Sequence, residues 1–243
     1  MNLNDPLFER SLLVFDEQTL LDLSNARILV AGVGGVGGFV AEALARAGAQ
    51  HLTLVDHDRV SLSNKNRQIV ALDNTIGQLK VSVMAERIAQ INPNCQVDCR
   101  AEFFAPEVMA SLVAEFDVVI DAIDSLNCKV ALVAEAVRQQ KRVFSSMGAG
   151  RRIDPSQIRV TDISKTHTCG LARVMRQRLR KLGIKKGVPV VFSTELPKEP
   201  GPMEEIANAR GRVVNGTASY MPGIFGLILA GLVINAFVSK EHV

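Results

Sequence analysis

Residues 27–37 read RILVAGVGGVG, and this stretch decides the fold. Arg27 to Ala31 is a short apolar run of strand length, and Val36 to Ala47 carries the apolar spacing of a helix. Between them lie Gly32, Gly34, Gly35 and Gly37. In a strand-turn-helix setting, glycines let the backbone approach a phosphate, and the helix N-terminus supplies free N–H groups and positive potential. Asp56 follows the next strand, His51 to Val55, where a carboxylate accepts hydrogen bonds from ribose hydroxyls. The pattern predicts a bound nucleotide. It does not choose between a nicotinamide cofactor and ATP, because both are held by this device.

Outward from that turn, short apolar runs alternate with amphipathic stretches. Helices are predicted over Gly77 to Ile91, Pro106 to Ala114 and Leu126 to Arg138. Strands are predicted over Gln96 to Ala101, Asp117 to Asp121 and Arg142 to Ser146. This alternation implies an α/β fold: a Rossmann-like, mostly parallel sheet with helices on both faces and ligands at the carboxyl ends of its strands. Leu7 to Leu23 reads as an amphipathic helix ahead of the sheet. After Met147, strands at Gln157 to Asp162 and Val188 to Ser193 flank a basic helical stretch, so antiparallel strands are expected to extend the sheet in the C-terminal part. Glu195 to Gly211, rich in Pro and Gly, reads as a loop and a candidate lid.

The chain has 243 residues, 47% hydrophobic and 22% charged, with a net charge of +3. That excludes disordered, collagen-like and coiled-coil classes. Four cysteines, none in a CxxC pair, exclude a disulfide scaffold and a four-thiolate zinc site. Cys95 and Cys99 are expected on one face of a strand, and Cys128 and Cys169 stand alone. Met1 to Leu13 has no uninterrupted apolar region of the signal-peptide kind, and a cytoplasmic, reducing compartment fits. Met221 to Val238 lacks charge but contains Pro222, Gly223, Gly226, Gly231 and Asn235, which favours a buried or interface helix over a membrane span.

The segment after Asp56 discriminates between nucleotides. VDHDRVSLSNKNRQ at 55–68 and GQLK at 77–80 bring Arg67 and Lys80 after the ribose acid, cations suited to a triphosphate. Asp121 and Asp124, in DAIDS, end a strand where a carboxylate suits Mg2+.

The order GVGGVG, VDHDRVSLSNKNRQ, GQLK, INP at 91–93 and DAIDS resembles the ubiquitin-activating-enzyme-like, ThiF/MoeB-type adenylating superfamily over roughly Phe8 to Gly150. Members attack the α-phosphate of ATP with a substrate carboxylate, giving an acyl-adenylate and pyrophosphate. The resemblance implies Gly32, Gly34, Gly35 and Gly37 on the phosphates, Asp56 on the ribose, Asn64, Arg67 and Lys80 on the triphosphate, and Asp124 at Mg2+. It also implies a homodimer in which Arg10, in FERSLLVF, reaches the other subunit's site. Arg10, Arg67, Lys80 and Asp124 are therefore the candidate catalytic residues of a single adenylating domain, 1–243. Its nucleotide-binding half is 1–150, and its substrate, tRNA and dimerisation half is 151–243.

Further strings resemble one branch, the tRNA threonylcarbamoyladenosine dehydratases: AERIAQINPNC, GAGRRIDPSQIRVTDISKT at 148–166 and VFSTE at 191–195. In that branch the adenylate is captured within the same substrate, so no enzyme thiol is needed. Asn215 to Ser219 replaces the cysteine-bearing segment expected there. Charge points the same way: residues 138–186 hold 14 Lys or Arg against 2 Asp or Glu. Arg151, Arg152, Arg173, Arg176, Arg178, Arg180 and Lys181 are the candidate contacts to an RNA backbone, with Lys185 and Lys186 beyond them. The alternative readings are an adenylyltransferase for a sulfur-carrier or ubiquitin-like protein, with Cys169 as nucleophile, or an NAD-dependent oxidoreductase; beside tRNA and a second copy of the chain, a sulfur-relay protein is a candidate partner of the leading reading.

Overall fold

The computed structural model describes residues 2–102, 106–204, 212–213 and 215–238. Four βα units and a fifth strand supply β1 (Arg27–Ala31), α2 (Gly37–Arg46), β2 (His51–Val55), α3 (Lys80–Ile91), β3 (Gln96–Arg100), α4 (Met109–Ala114), β4 (Val118–Asp121), α5 (Leu126–Arg138) and β5 (Arg142–Ser146). These strands, with β6 (Ile158–Asp162) and β7 (Pro189–Ser193), form one sheet in the order β3-β2-β1-β4-β5-β7-β6. All neighbours pair in parallel except β6, which runs antiparallel to β7 on the outer edge. The C-terminal extension therefore has one parallel and one antiparallel strand. Chain order reverses between β2-β1 and β4-β5, which opens a crevice at the carboxyl ends of β1 and β4.

Both faces of the sheet are covered, so the central strands are apolar on both sides. Ile28, Val30, Leu52 and Leu54 pack in a core cluster with Leu44, Phe225 and Leu229. Leu29, Ala31 and Val119 pack in another with Leu132, Met175 and Leu179 of α5 and of α6 (Gly170–Lys181). The last helix, α7 (Met221–Asn235), lies against α2 at backbone distance. A Cβ at Gly226 would fall 2.5 Å from the Val36 carbonyl oxygen, which explains a glycine in so apolar a helix. No described helix is long and apolar enough to cross a membrane. Leu227 is nonetheless 53% exposed on α7.

Three sequence expectations change. Leu7 to Leu23 is not one helix: 3-10 turns at Pro6–Phe8 and Ser11–Leu13 precede α1 (Glu17–Asn25). Asp16 starts α1 by accepting the Thr19 N–H at 2.7 Å, a capping bond that breaks the run. Cys95 and Cys99 do not share a face, because Cys95 lies before β3 and is buried while Cys99 is exposed on it. Burial pushes the Cys95 thiol up to about 12. The 195–211 segment carries part of a two-residue antiparallel ladder, β8 (Met203–Glu204) with β9 (Arg212–Val213); its residues 205–211 lie outside the described residues.

Candidate functional site

The crevice floor is the glycine-rich turn. Gly32 has φ +91°, and a Cβ there would sit 2.7 Å from the Ala122 carbonyl oxygen. A Cβ on Gly37 would sit 1.7 Å from the Gly32 carbonyl oxygen, so these two glycines are demanded by the turn itself. Gly35 abuts Pro222 of α7. At Gly34 the nearest atom to such a Cβ is Gln68 Nε2 at 3.9 Å, so the backbone is approachable there. The N-cap residue of α2, Val36, offers no side-chain cap to the free N–H groups at its start.

Around this turn the loop after β2 folds back on itself. Asp56 is buried, and its Oδ2 accepts the Val33 N–H at 2.7 Å while its Oδ1 accepts the Asp58 N–H at 2.9 Å. Asp56 thus ties the loop after β2 to the glycine turn. Asn64, also buried, accepts the Ser61 N–H through Oδ1 at 3.1 Å. Lys80 is 5% exposed, with Nζ 2.7 Å from Asp58 Oδ2 and its N–H on the Asp58 carbonyl at 3.1 Å. Arg67 donates to the Ser63 carbonyl at 3.0 Å and to Asn66 Oδ1 at 2.9 Å.

The two aspartates of DAIDS have different fates. Asp124 is exposed on the β4–α5 loop. Asp121 is fully buried, with Lys129 Nζ and Ser145 Oγ on Oδ2 at 2.7 and 2.5 Å and the Ile123 N–H on Oδ1. Burial pushes its carboxyl above the usual range, against the pull of Lys129 and Ser145. Lys129 also donates to the Ser146 carbonyl at 2.9 Å. Asp121 is therefore a structural anchor between β4, β5 and α5 rather than a metal ligand. Asp56, His57 and Asp58 also bring possible ligand atoms within 4.8 Å of one another. Their carboxylates already hold the Val33 N–H, the Asp58 N–H and Lys80.

The crevice is flanked by α6, whose second residue, Leu171, comes within 4.0 Å of the Cβ position of Gly148, beyond β5. Arg173, Arg180 and Lys181 on α6, with Lys185 and Lys186 after it, are exposed. No described ion pair involves any of them. Arg176 hydrogen-bonds to Thr166, and Arg178 reaches Asn127 Oδ1 at 2.5 Å. That second bond ties α6 to the start of α5, three residues past Asp124.

Arg152 departs from expectation: it is buried, donating to the Gly148, Gly150 and Glu195 carbonyls, and shapes the loop after β5 instead of facing solvent. Arg151 is half-buried, its guanidinium on the Lys198 carbonyl. Arg10 is 85% exposed on the N-terminal turns, 3.9 Å from Glu9. Cys169 is buried at the start of α6, without the access a nucleophile needs. A depression of about 560 Å³ lined by Arg27, His51, Asp98, Glu115 and Phe116 opens at the opposite, amino ends of β1 and β2.

Sequence reasoning gave no role to three residues here. Asp58 holds Lys80, Asn66 holds Arg67, and Gln68 is buried beside Gly34 with an Oε1 that has no hydrogen-bond partner among the described residues. All three stand in the quoted 55–68 run, and only their contacts across the loop distinguish them.

Comparison with known proteins places these features in context. The model of the ThiF family matches residues 8–243. The tRNA threonylcarbamoyladenosine dehydratase of Bacillus subtilis is 42% identical over 236 residues, covering 93% of this chain and 92% of its own. Its counterpart from Escherichia coli is 45% identical over 190 residues, 75% of this chain and 71% of that one. The crystal structure of the E. coli tRNA N6-threonylcarbamoyladenosine dehydratase TcdA in complex with ATP superposes with a TM-score of 0.88 at 38% identity, covering 98% and 97% of the two chains.

Proposed function

The chain belongs to the ThiF family, and from that premise we propose that it uses ATP to dehydrate and cyclise threonylcarbamoyladenosine in tRNA, next to the anticodon. The observation that carries this reading is the crevice itself. One wall holds buried Asp56, Asn64 and Lys80 around an approachable glycine turn; the other is a basic helix without a carboxylate. Two relatives named for this activity, matched over most of the chain, support it. An oxidoreductase reading falls with the family.

In this proposal the phosphates lie over Gly34, Asp56 takes the ribose, and Asn64, Arg67 and Lys80 hold the triphosphate. Lys80 is a cation in a low-dielectric setting, so it stabilises charge developing on phosphate oxygens more strongly than a solvated one. Bound Mg2+, with Asp124 as its carboxylate ligand, would add Lewis-acid polarisation of the phosphates. The threonyl carboxylate attacks the α-phosphorus and the α–β anhydride bond breaks, releasing pyrophosphate. A nucleophile of the same modified base then attacks the acyl carbon and expels AMP, so one water is removed overall. Ring closure within one substituent needs no protein nucleophile, which agrees with a buried Cys169.

We assign 1–150 to the nucleotide and 151–243 to tRNA and dimerisation within one domain, working in the cytoplasm. Arg173, Arg180 and Lys181 are the primary phosphate contacts, with Arg176 and Arg178 beside them. A homodimer in which Arg10 serves the partner's site accounts for an arginine so exposed in one chain. Mixed Arg10→Ala and Lys80→Ala proteins should then regain part of the activity that each lacks alone. No recovery despite subunit exchange would confine Arg10 to its own chain. Neither the thiol-dependent carrier-protein reading nor a docked sulfur-relay protein gains support from a thiol buried at α6.

The reaction assigned here is tested by pyrophosphate release. Protein, Mg2+ and ATP should release pyrophosphate when given tRNA bearing threonylcarbamoyladenosine and not when given the same tRNA unmodified. Equal release from both, or from neither, would contradict the substrate assignment.

A further inference from the structure

Residues 215–220 run from β9 to the start of α7 and touch both sides of the crevice. The Gly216 carbonyl accepts the Arg151 N–H at 2.8 Å, beyond β5. The Thr217 carbonyl accepts Asn66 Nδ2 at 3.0 Å, beyond β2. Tyr220 Oη donates to the Ile153 carbonyl at 2.6 Å, and two residues on Pro222 packs against Gly35 of the glycine turn. Asn66 is the joint: its amide nitrogen holds Thr217 while its amide oxygen accepts the Arg67 guanidinium at 2.9 Å. The two bonds need opposite ends of the amide, so together they fix its orientation. Arg67 is set in turn beside the glycine turn, its carbonyl 3.4 Å from the Cβ position of Gly35.

We propose that Asn66 is a positioning residue for Arg67 that makes the placement of this guanidinium depend on the 215–217 segment, linking nucleotide binding to the ordering of that segment. The inference rests on the reading of Arg67 as a triphosphate contact. When phosphates immobilise Arg67, the Asn66 oxygen keeps its donor and the amide nitrogen stays aimed at Thr217. The 215–219 backbone then opens less often. By reciprocity, a substrate that settles this segment improves the placement of Arg67. Asn66 is exposed, so its replacement leaves the core intact.

The test follows amide hydrogen exchange over 215–219 with and without ATP and Mg2+, in the full chain and in Asn66→Ala and Asn66→Gln. It is paired with ATP-binding calorimetry and steady-state kinetics on modified tRNA. In the unaltered chain, ATP should slow exchange over 215–219 several-fold. In Asn66→Ala that slowing should vanish while ATP still binds, and kcat should fall about tenfold with a smaller change in KM for ATP, the size expected for one charge-assisted hydrogen bond. Asn66→Gln, with the same two functional ends, should recover part of both. Exchange over 215–219 that ignores ATP in the unaltered chain, or an Asn66→Ala protein with unchanged kcat, would overturn the linkage. ATP-linked slowing that Asn66→Ala abolishes, in a protein that leaves threonylcarbamoyladenosine untouched, would keep the linkage and sink the substrate reading.

Discussion

The two walls of the crevice handle positive charge by opposite rules. On the nucleotide wall, each cation is held: Lys80 is buried on Asp58, and Arg67 lies between Asn66 and the Ser63 carbonyl. On the α6 wall, Arg173, Arg180 and Lys181 stand in solvent and form no described ion pair. A paired, desolvated cation is preorganised and weakly screened, suited to one small ligand in one pose. Exposed cations on one helix face are interchangeable and screened by salt, suited to a long polyanion read through its phosphates. On the proposed assignment, the division of labour between ATP and tRNA is written in burial more than in residue type.

The comparison is broken most severely at Lys80. Lys80→Ala should lower kcat/KM by about a thousandfold, the scale of losing a preorganised charge at the reacting phosphate. Added salt should not mimic the defect. A loss below tenfold in steady-state kinetics would mean that Lys80 only braces Asp58.

Next in size is the opposite wall. Reversing Arg173, Arg180 and Lys181 together to Glu should raise KM for tRNA by about a hundredfold and leave ATP affinity within twofold. The slope of log affinity against log salt should become shallower by about three. Filter binding at several KCl concentrations reads both. An unchanged slope would remove α6 from the RNA interface.

A smaller effect sharpens how the basic wall is mounted. The Asp162 carboxylate accepts the Gly187 and Val188 N–H groups at 2.6 and 3.0 Å, fastening the segment after α6. Burial pushes its carboxyl up, but the Ser164, Gly187 and Val188 hydrogen bonds outweigh that and hold it below the usual carboxylate range. A depressed folded value contributes stability that is fully present above the ordinary carboxylate range and is lost as pH falls through the folded value. Asp162→Ala should therefore cost about 1 kcal/mol at pH 7, a discounted figure for a partly exposed group, or about 2–4 °C in Tm. The gap from the unaltered chain should narrow as pH falls below the ordinary carboxylate range. A gap that persists in acid would mean that packing, not the ionised carboxylate, holds this segment. Smallest of all, Cys169→Ala should leave the turnover rate within about twofold, and a larger loss would reopen the thiol-dependent route.

The nucleotide wall was legible because its signals are local. RILVAGVGGVG fixes strand, turn and helix within eleven residues, and the apolar runs 51–55 and 142–146 coincide with β2 and β5. The misreadings are long-range. Asp121 and Asp124 are the same residue type three apart, and only Lys129 and Ser145 arriving from α5 and β5 turn one inward. Arg151 and Arg152 are adjacent, yet the carbonyls of 148, 150 and 195 enclose the second alone. Leu7 to Leu23 has helical periodicity throughout, but the Asp16 cap, visible in hindsight three residues before Thr19, overrides it. Asn66 gave no signal at all, since its partner Thr217 lies 151 residues away.

The central claim is tested most directly by nucleoside mass spectrometry of tRNA incubated with the protein and Mg2+, with and without ATP, under digestion mild enough to preserve a labile ring. The account predicts that threonylcarbamoyladenosine loses the mass of one water only when ATP is present. An unchanged nucleoside, with ATP binding intact and the modified tRNA verified, would contradict it.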